Sequence, residues 1–351
     1  MKKNVHRILI IRPSAIGDIV MASAMLPVLK KAYPDARISW VVEPHLVGLL
    51  KNHPAVEDVV PWPKAQWRHL ARKFRWFRLG GEIIRFSKKL RQQKYDLALD
   101  CQGLLRSRFL TLLSGARRRL GFESKEPGKF FMTEVVTRGG HSERMSSEYR
   151  HLMEYLDLDP GPFGPSIQLG QEVFETTREA LAEEGITGEF IVFAPFTTRP
   201  QKHWFDDRWV NLGQRLFQAT GRPVIVLGGP GDRLHAERLC NQGGESFHNF
   251  SGSLTLEQSG ILVRQCSLVI GVDTGLTHMG TAFSRPTVAL FGSTCPYLET
   301  ASPLTRVLYE PHPCSPCRRN PVCDNRFDCM AALDVDRVFA EAMDLLQENP
   351  S

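Results

Sequence analysis

Ser267-Leu268-Val269-Ile270-Gly271-Val272-Asp273-Thr274-Gly275-Leu276-Thr277-His278 is the stretch whose reading decides the fold. Its apolar, β-rich start stops at Gly and Asp and gives way to Thr-Gly-Leu-Thr-His-Met-Gly-Thr-Ala, the pattern of a buried strand ending at a helix N-terminus. Such a junction holds anions. The first helical turn has unpaired backbone N–H groups and the positive end of the helix dipole, and Gly275 admits a phosphate close to the backbone. Arg285 to Gly292 reads as the following strand, so strand, helix and strand make one βαβ unit. In open α/β sheets ligands bind beyond the carboxyl ends of the strands, which assigns the nucleotide part of a substrate to this junction.

Outward from that unit, the same alternation recurs. Val5 to Ile11 is a β-branched first strand, followed by Arg12-Pro13-Ser14-Ala15-Ile16-Gly17-Asp18 and a helical pattern through Lys31. There is no G-x-G-x-x-G fingerprint, so a nicotinamide or flavin dinucleotide is not indicated. Ile38 to Val42, Val56 to Val60 and Tyr95 to Asp100 read as further strands, Arg117 to Phe122 as a strand or turn, and Ser142 to Leu156 as a helix carrying Arg144, Arg150 and His151. Asp159-Pro160-Gly161-Pro162-Phe163-Gly164-Pro165 breaks regular structure and predicts a division into domains 1–163 and 164–351. The second half restarts with a helix at Val173 to Glu184, strands at Phe190 to Ala194 and Pro223 to Leu227, and a helix at Arg208 to Thr220 between them.

At 351 residues, 42% hydrophobic and 23% charged, the composition is that of an ordinary globular protein rather than a disordered or fibrous one. No apolar run approaches the roughly 20 residues of a membrane span, and Ile8 to Ile11 is too short for a signal peptide, which predicts a cytoplasmic protein. The formal charge of +6 is unevenly spread. Between Lys64 and Lys94, Arg and Lys recur against one acid, Glu82, with Trp62, Trp67, Phe74, Trp76 and Phe77 interleaved. This basic aromatic segment is either a solvated helix face or a surface for nucleic acid, anionic headgroups or an acidic sugar.

Polar clusters fall where strands end: Ser14 with Asp18, Thr197 to Lys202, Gly228 to Asp232, and Asp273 to His278. Together they predict a cleft with phosphate-binding groups from the second half and a carboxylate from the first. Asp18 is a helix cap or a general base; Lys202 is a solvated lysine or the partner of a diphosphate; His278 is a satisfied core histidine or part of the site.

These residues, with Trp40-Val41-Val42-Glu43, Asp100-Cys101-Gln102-Gly103-Leu104 and Thr197-Thr198-Arg199 before Lys202-His203-Trp204, resemble the bacterial lipopolysaccharide heptosyltransferases of glycosyltransferase family 9 over nearly the whole chain. The likeness is strongest to heptosyltransferase I in the N-terminal half. It implies an α/β GT-B fold, two Rossmann-like domains facing across a cleft, and inverting, metal-independent transfer of L-glycero-D-manno-heptose from ADP-heptose to a Kdo sugar of the inner core. It implies Asp18 as the base and Lys202 with the Thr274-Gly275 amides on the diphosphate. Thr197, Thr198, Asp273, Thr277 and His278 are then expected around the donor, and Asp232 near its ribose. Ser14, Lys64, Arg68 and Arg144 become candidate acceptor contacts, with the basic segment meeting Kdo-lipid A or an anionic inner-membrane surface from the cytoplasmic side. No cofactor is required and no nucleic acid is expected. A second-heptose enzyme or another GT-B nucleotide-sugar transferase is the alternative, and a nucleic-acid-binding protein with a four-Cys knuckle a distant one.

Cys314, Cys317, Cys323 and Cys329 have the spacing C-x2-C-x5-C-x5-C. They resemble ligands of a structural zinc or an iron-sulfur group, with disulfides or free thiols as the other outcomes. A final helix beyond this 314–329 segment is expected to pack back on the first domain.

Overall fold

Ile8, Leu9, Ile10 and Ile11 are wholly buried, as an unbroken apolar run requires when helices cover both faces of a parallel sheet. The computed structural model describes residues 5–317 and 320–349. They form two compact units, the described residues up to 141 with 146–168, and residues 142–145 with those from 169 onward.

The first unit runs β1 (Arg7–Ile11), α1 (Ile16–Ala22), α2 (Met25–Ala32), β2 (Arg37–Val42), β3 (Asp58–Pro61), α3 (Lys64–Arg72), α4 (Trp76–Gln92), β4 (Leu97–Asp100), α5 (Leu105–Leu113), β5 (Arg118–Phe122), β6 (Glu134–Val136) and α6 (Ser147–Tyr155). Its parallel sheet has the order β3-β2-β1-β4-β5-β6. The second unit runs α7 (Gln171–Glu183), β7 (Ile191–Ala194), α8 (Asp206–Thr220), β8 (Val224–Val226), α9 (Arg233–Gly243), β9 (Phe247–Asn249), α10 (Leu256–Gln265), β10 (Leu268–Val272), α11 (Gly275–Ala282), β11 (Thr287–Phe291), β12 (Thr305–Tyr309), α12 (Asp328–Ala331) and α13 (Val335–Glu348). Its sheet, β12-β11-β10-β7-β8-β9, repeats the wiring of the first. In each, the chain leaves a central strand in one direction and returns to its other side, so a topological switch point lies at the carboxyl ends of β1 and β4, and again of β7 and β10. This is the fold class expected from the sequence.

Several boundaries differ for identifiable reasons. The helical pattern through Lys31 breaks at Ser23-Ala24, because Pro27 lacks an N–H and fits only the first turn of a helix, here that of α2. The helix expected from Ser142 begins at Ser147, which leaves Arg144 on the turn before it. The Pro/Gly stretch and residues to 168 stay with the first unit, past the expected division at 163. The Ser166 amide donates to Ser23 Oγ (2.8 Å) and Ser166 Oγ pairs with His53 Nε2 (2.9 Å), which ties this segment down. As for α13, Val338, Ala342, Leu345 and Leu346 on its buried side lie in the core of the second unit, against α8, β10 and β11.

The basic aromatic segment divides in two. Trp62 and Trp67 are buried, with Trp67 edge-on to Phe86 of α4 (5.4 Å between centroids), and both belong to the core under β1 and β4. Phe74, Trp76 and Phe77, between and at the start of the two helices, are exposed.

Candidate active site

The carboxyl ends of β7 and β10 carry the richest polar cluster. After β7 the chain runs through Thr197 and Thr198 into a short 3-10 turn, Pro200–Lys202, that brings Lys202 across to the end of β10. There the Lys202 ammonium donates to the Asp273 carboxylate and, at 3.3 Å, to the Asp273 carbonyl. His278 Nε2 lies 3.2 Å from Asp273 Oδ1, and Thr294 Oγ1 donates to Oδ2 at 2.7 Å. Burial works against ionisation of Asp273, but the hydrogen bond and charge of His278 and those of Lys202 outweigh it and hold the carboxyl well below the usual range. Asp273 is therefore a fixed anion that aims a lysine and a histidine.

Beside this cluster α11 begins. Thr274 is its N-cap in extended conformation, and its side chain makes no capping hydrogen bond, so the first-turn amides keep their capacity for an external acceptor. Thr277 does not face that acceptor. Its hydroxyl turns back to donate to the Val272 carbonyl (2.7 Å) and is buried. It fits only because residue 271 is Gly, since a Cβ there would meet Thr277 Oγ1 at 2.2 Å. Thr197 offers its carbonyl to His203 Nε2 (2.8 Å), and Thr198 is exposed. Asp232 accepts the Gly229 amide through Oδ2 (2.8 Å), which shapes the turn after β8.

At the corresponding position of the first unit, β1 delivers Arg12 and the loop to Asp18. Arg12, 6% exposed, donates to Asp18 Oδ1 (2.6 Å) and to the Cys101 carbonyl (3.0 Å), which ties the loop after β1 to the loop after β4. Burial works against the charge on Arg12, but Tyr149, Asp18 and Glu148 outweigh it and hold its pKa above the ordinary value. Asp18 Oδ2 accepts the Ala15 amide (3.1 Å), so Asp18 serves α1 as a capping residue while its side chain remains 36% exposed. Asp100 is wholly buried, accepts the Gln102 and Gly103 amides at 3.0 Å, and has its pKa raised by burial against those bonds. It builds the turn from inside.

The remaining candidates are more dispersed. Ser14 is half-buried, with its carbonyl 3.5 Å from Gln102 Nε2. Lys64 pairs with Glu43 (2.6 Å), Arg144 pairs with Glu299 (2.6 Å), and Arg68 is exposed on α3. The expected metal group at Cys314, Cys317, Cys323 and Cys329 is not formed: among the described residues no three His, Cys, Asp or Glu side chains are arranged to hold an ion, and all four thiols are free. Cys323 and Cys329 are buried, while the Cys317 thiol points to the Ser293 carbonyl. Burial, reinforced by the neighbouring cysteines, pushes the Cys317 and Cys329 thiols up.

Two contributors went unassigned in the sequence. Arg12 carried a signal, a cation at the end of a buried strand and six residues before a carboxylate. Thr294 carried none, because its link to Asp273 comes through the parallel pairing of β10 with β11 and the loop that follows.

The family described as glycosyltransferase family 9 (heptosyltransferase) matches residues 83–325. Lipopolysaccharide heptosyltransferase 1 of Pseudomonas aeruginosa is 30% identical over 323 residues, 89% of this chain and 86% of that protein. A glycosyl transferase of family 9 from Veillonella parvula superposes with a TM-score of 0.82 at 19% identity, covering 99% of both chains. An Escherichia coli heptosyltransferase with ADP-2-deoxy-2-fluoro heptose gives 0.70 at 25% identity, covering 98% of this chain and 99% of that one.

Proposed function

We propose a mechanism for a chain that belongs to glycosyltransferase family 9, the heptosyltransferases. It is an ADP-heptose-dependent heptosyltransferase of lipopolysaccharide biosynthesis. In the proposed reaction a hydroxyl of an inner-core Kdo sugar attacks the anomeric carbon of the heptose from the face opposite ADP. The bond from that carbon to the β-phosphate oxygen breaks, ADP departs with the electron pair, and the configuration inverts.

Asp18 accepts the proton of the attacking hydroxyl. Its partial exposure and the Arg12 bond to Oδ1 support this part, since the carboxylate is held in one orientation with access to solvent. The charge that develops on the leaving diphosphate is taken up by Lys202 and the first-turn amides of α11. The observation that carries the reading is the meeting of Lys202 and Asp273 at a switch point beside an uncapped helix start. A fixed ammonium supplies the positive charge that a divalent cation would otherwise bring, so transfer proceeds without metal. Thr197, Thr198, Thr274 and His278 border the donor, and Asp232 receives the ribose hydroxyls.

On the acceptor side, Lys64 and Arg144 exchange Glu43 and Glu299 for Kdo carboxylates, with Ser14 and Arg68 as further contacts. The acceptor is lipid-borne, so the enzyme works peripherally at the cytoplasmic face of the inner membrane.

The test is ADP release from ADP-heptose with Kdo-lipid A in the presence of a chelator, intact protein against Asp18→Asn. Turnover is expected to fall by roughly 10² to 10⁴ in the variant while donor affinity is kept. Undiminished turnover in Asp18→Asn removes the base assignment, and transfer only to an acceptor already carrying one heptose moves the enzyme to the second step.

A further inference from the structure

We infer that the tip joining α3 to α4 is a bilayer anchor, in which Phe74, Trp76 and Phe77 enter the interface of an anionic membrane while the basic residues around them hold its headgroups. The inference rests on the reading above that the acceptor is lipid-borne.

The two faces of this helical hairpin have different destinations. Inward, Trp67, Leu70, Phe86 and Leu90 are buried, and Leu79 and Ile83 pack on the same core. Outward, Phe74 is 78% exposed, Trp76 58% and Phe77 100%. Three large rings within four consecutive residues are not the isolated apolar side chains that any surface carries. Folding gains nothing from Phe77 where it stands, so its ring is free to be covered by a partner. Phe74 sits at φ 55°, in the left-handed region that a bulky side chain avoids, and this turn sets its ring edge-on to Trp76 at 6.2 Å between centroids. One helical turn along the outward side, a Cβ at Gly80 or Gly81 would meet nothing within 4 Å, and Ile84 follows at 58% exposure. A flat surface can therefore lie against the start of α4.

Charge identifies the occupant. Arg72, Lys73, Arg75 and Arg78 are exposed around the rings and form no ion pair among the described residues. Glu82, the one acid between Lys64 and Lys94, is already paired with Arg85 at 2.6 Å. Basic side chains flanking Trp and Phe on an amphipathic helix suit a layer of anionic headgroups over acyl chains. No described helix is long and apolar enough to cross a membrane, so this contact is interfacial. A nucleic acid would favour rings spread along a groove, not gathered at one tip.

Trp76 reports on its own surroundings, because Trp40, Trp62, Trp67, Trp204 and Trp209 are all buried. The full chain is mixed with vesicles of phosphatidylethanolamine and phosphatidylglycerol, with phosphatidylcholine vesicles as the neutral control, and with brominated acyl chains as quenchers. Binding to the anionic vesicles alone, with blue-shifted and quenched Trp76 emission, is the expected result. Phe74→Ser, Trp76→Ser and Phe77→Ser together should weaken vesicle binding at least about tenfold, and Arg75→Gln with Arg78→Gln should weaken it most at low salt. Transfer to a water-soluble, deacylated acceptor should be unchanged in the ring variant.

Vesicle binding without quenching, or a ring variant that binds like the parent, overturns the anchor. So does a ring variant that loses only self-association, which would make the tip a contact between two copies, or only oligonucleotide binding. If the intact protein binds vesicles but releases no ADP with the soluble acceptor, it is the transfer reading that falls.

Discussion

Replacing Asp273 by Asn keeps the shape of the side chain and removes the charge that Lys202 and His278 share. Lys202 is 17% exposed at its side chain and Asp273 14%, so the pair lies below the surface, where breaking one partner leaves an uncompensated charge. Such losses run to about 3–5 kcal/mol for fully buried pairs. Partial solvent access and the hydrogen bonds that Asn retains put the expected loss here near the low end, about 3 kcal/mol. The pH dependence supplies a signature. The Asp273 pKa is lowered in the folded protein, so its stabilisation is present above the unfolded value of about 3.9 and is lost as the pH falls through the folded one. The gap between parent and variant should therefore hold steady from pH 7 to 5 and shrink below about pH 4. Because the chain has two units, the readout should be local: hydrogen exchange of the peptide spanning residues 268–282 during urea titration. A gap below about 0.5 kcal/mol at pH 7, the usual size for a surface substitution, would mean that Lys202 is not held by Asp273 in solution.

Thr294→Val removes a hydroxyl donor to Asp273 and should cost about 1.5–3 kcal/mol in the same exchange measurement, with a rise in the KM for ADP-heptose; equal protection in both proteins would dismiss the contact. Gly271→Ala drives a methyl into Thr277 Oγ1 and to 2.9 Å from the Ala194 Cβ, so a loss of about 1–3 kcal/mol in urea unfolding is expected, and Thr277→Ser, which keeps the clashing oxygen, should not relieve it. Arg12→Lys keeps a charge but cannot span Asp18 and the Cys101 carbonyl together, so kcat should fall with little change in KM; a change in KM alone would show that Arg12 does not act through Asp18.

Legibility in the sequence followed burial. β1, β2, β4, β7, β10 and β11 are nearly continuous apolar runs between turn residues and were readable as strands. β6 and β9 have three residues each and contain Glu134, His248 and Asn249, because edge strands pack on less core and need fewer apolar residues. Lys202 and Asp273 could be named because both follow predicted strands, but their pairing depends on β7 lying next to β10, which no local pattern encodes. The basic segment misled in part for a related reason: Trp67 and Phe77 look alike in a list of aromatics, and only the helical phase of α3 and α4 separates core from surface. Close spacing of four cysteines likewise fixed their neighbourhood in the chain but not whether they hold an ion.

The shared wiring of the two sheets also sets a timetable for synthesis. β10 cannot join β7 until β8, β9 and α10 have been made, and β4 reaches β1 only after β2, β3 and the α3–α4 hairpin. Closing such long loops is slow and is rewarded only at the last pairing. A chain emerging from the ribosome therefore carries Lys202 for many residues before Asp273 exists to hold it, and an interrupted product lacks the proposed donor site. With the donor site proposed above, only a finished second unit can gain stability from ADP, so in the cell the nucleotide would selectively protect completed molecules from proteolysis.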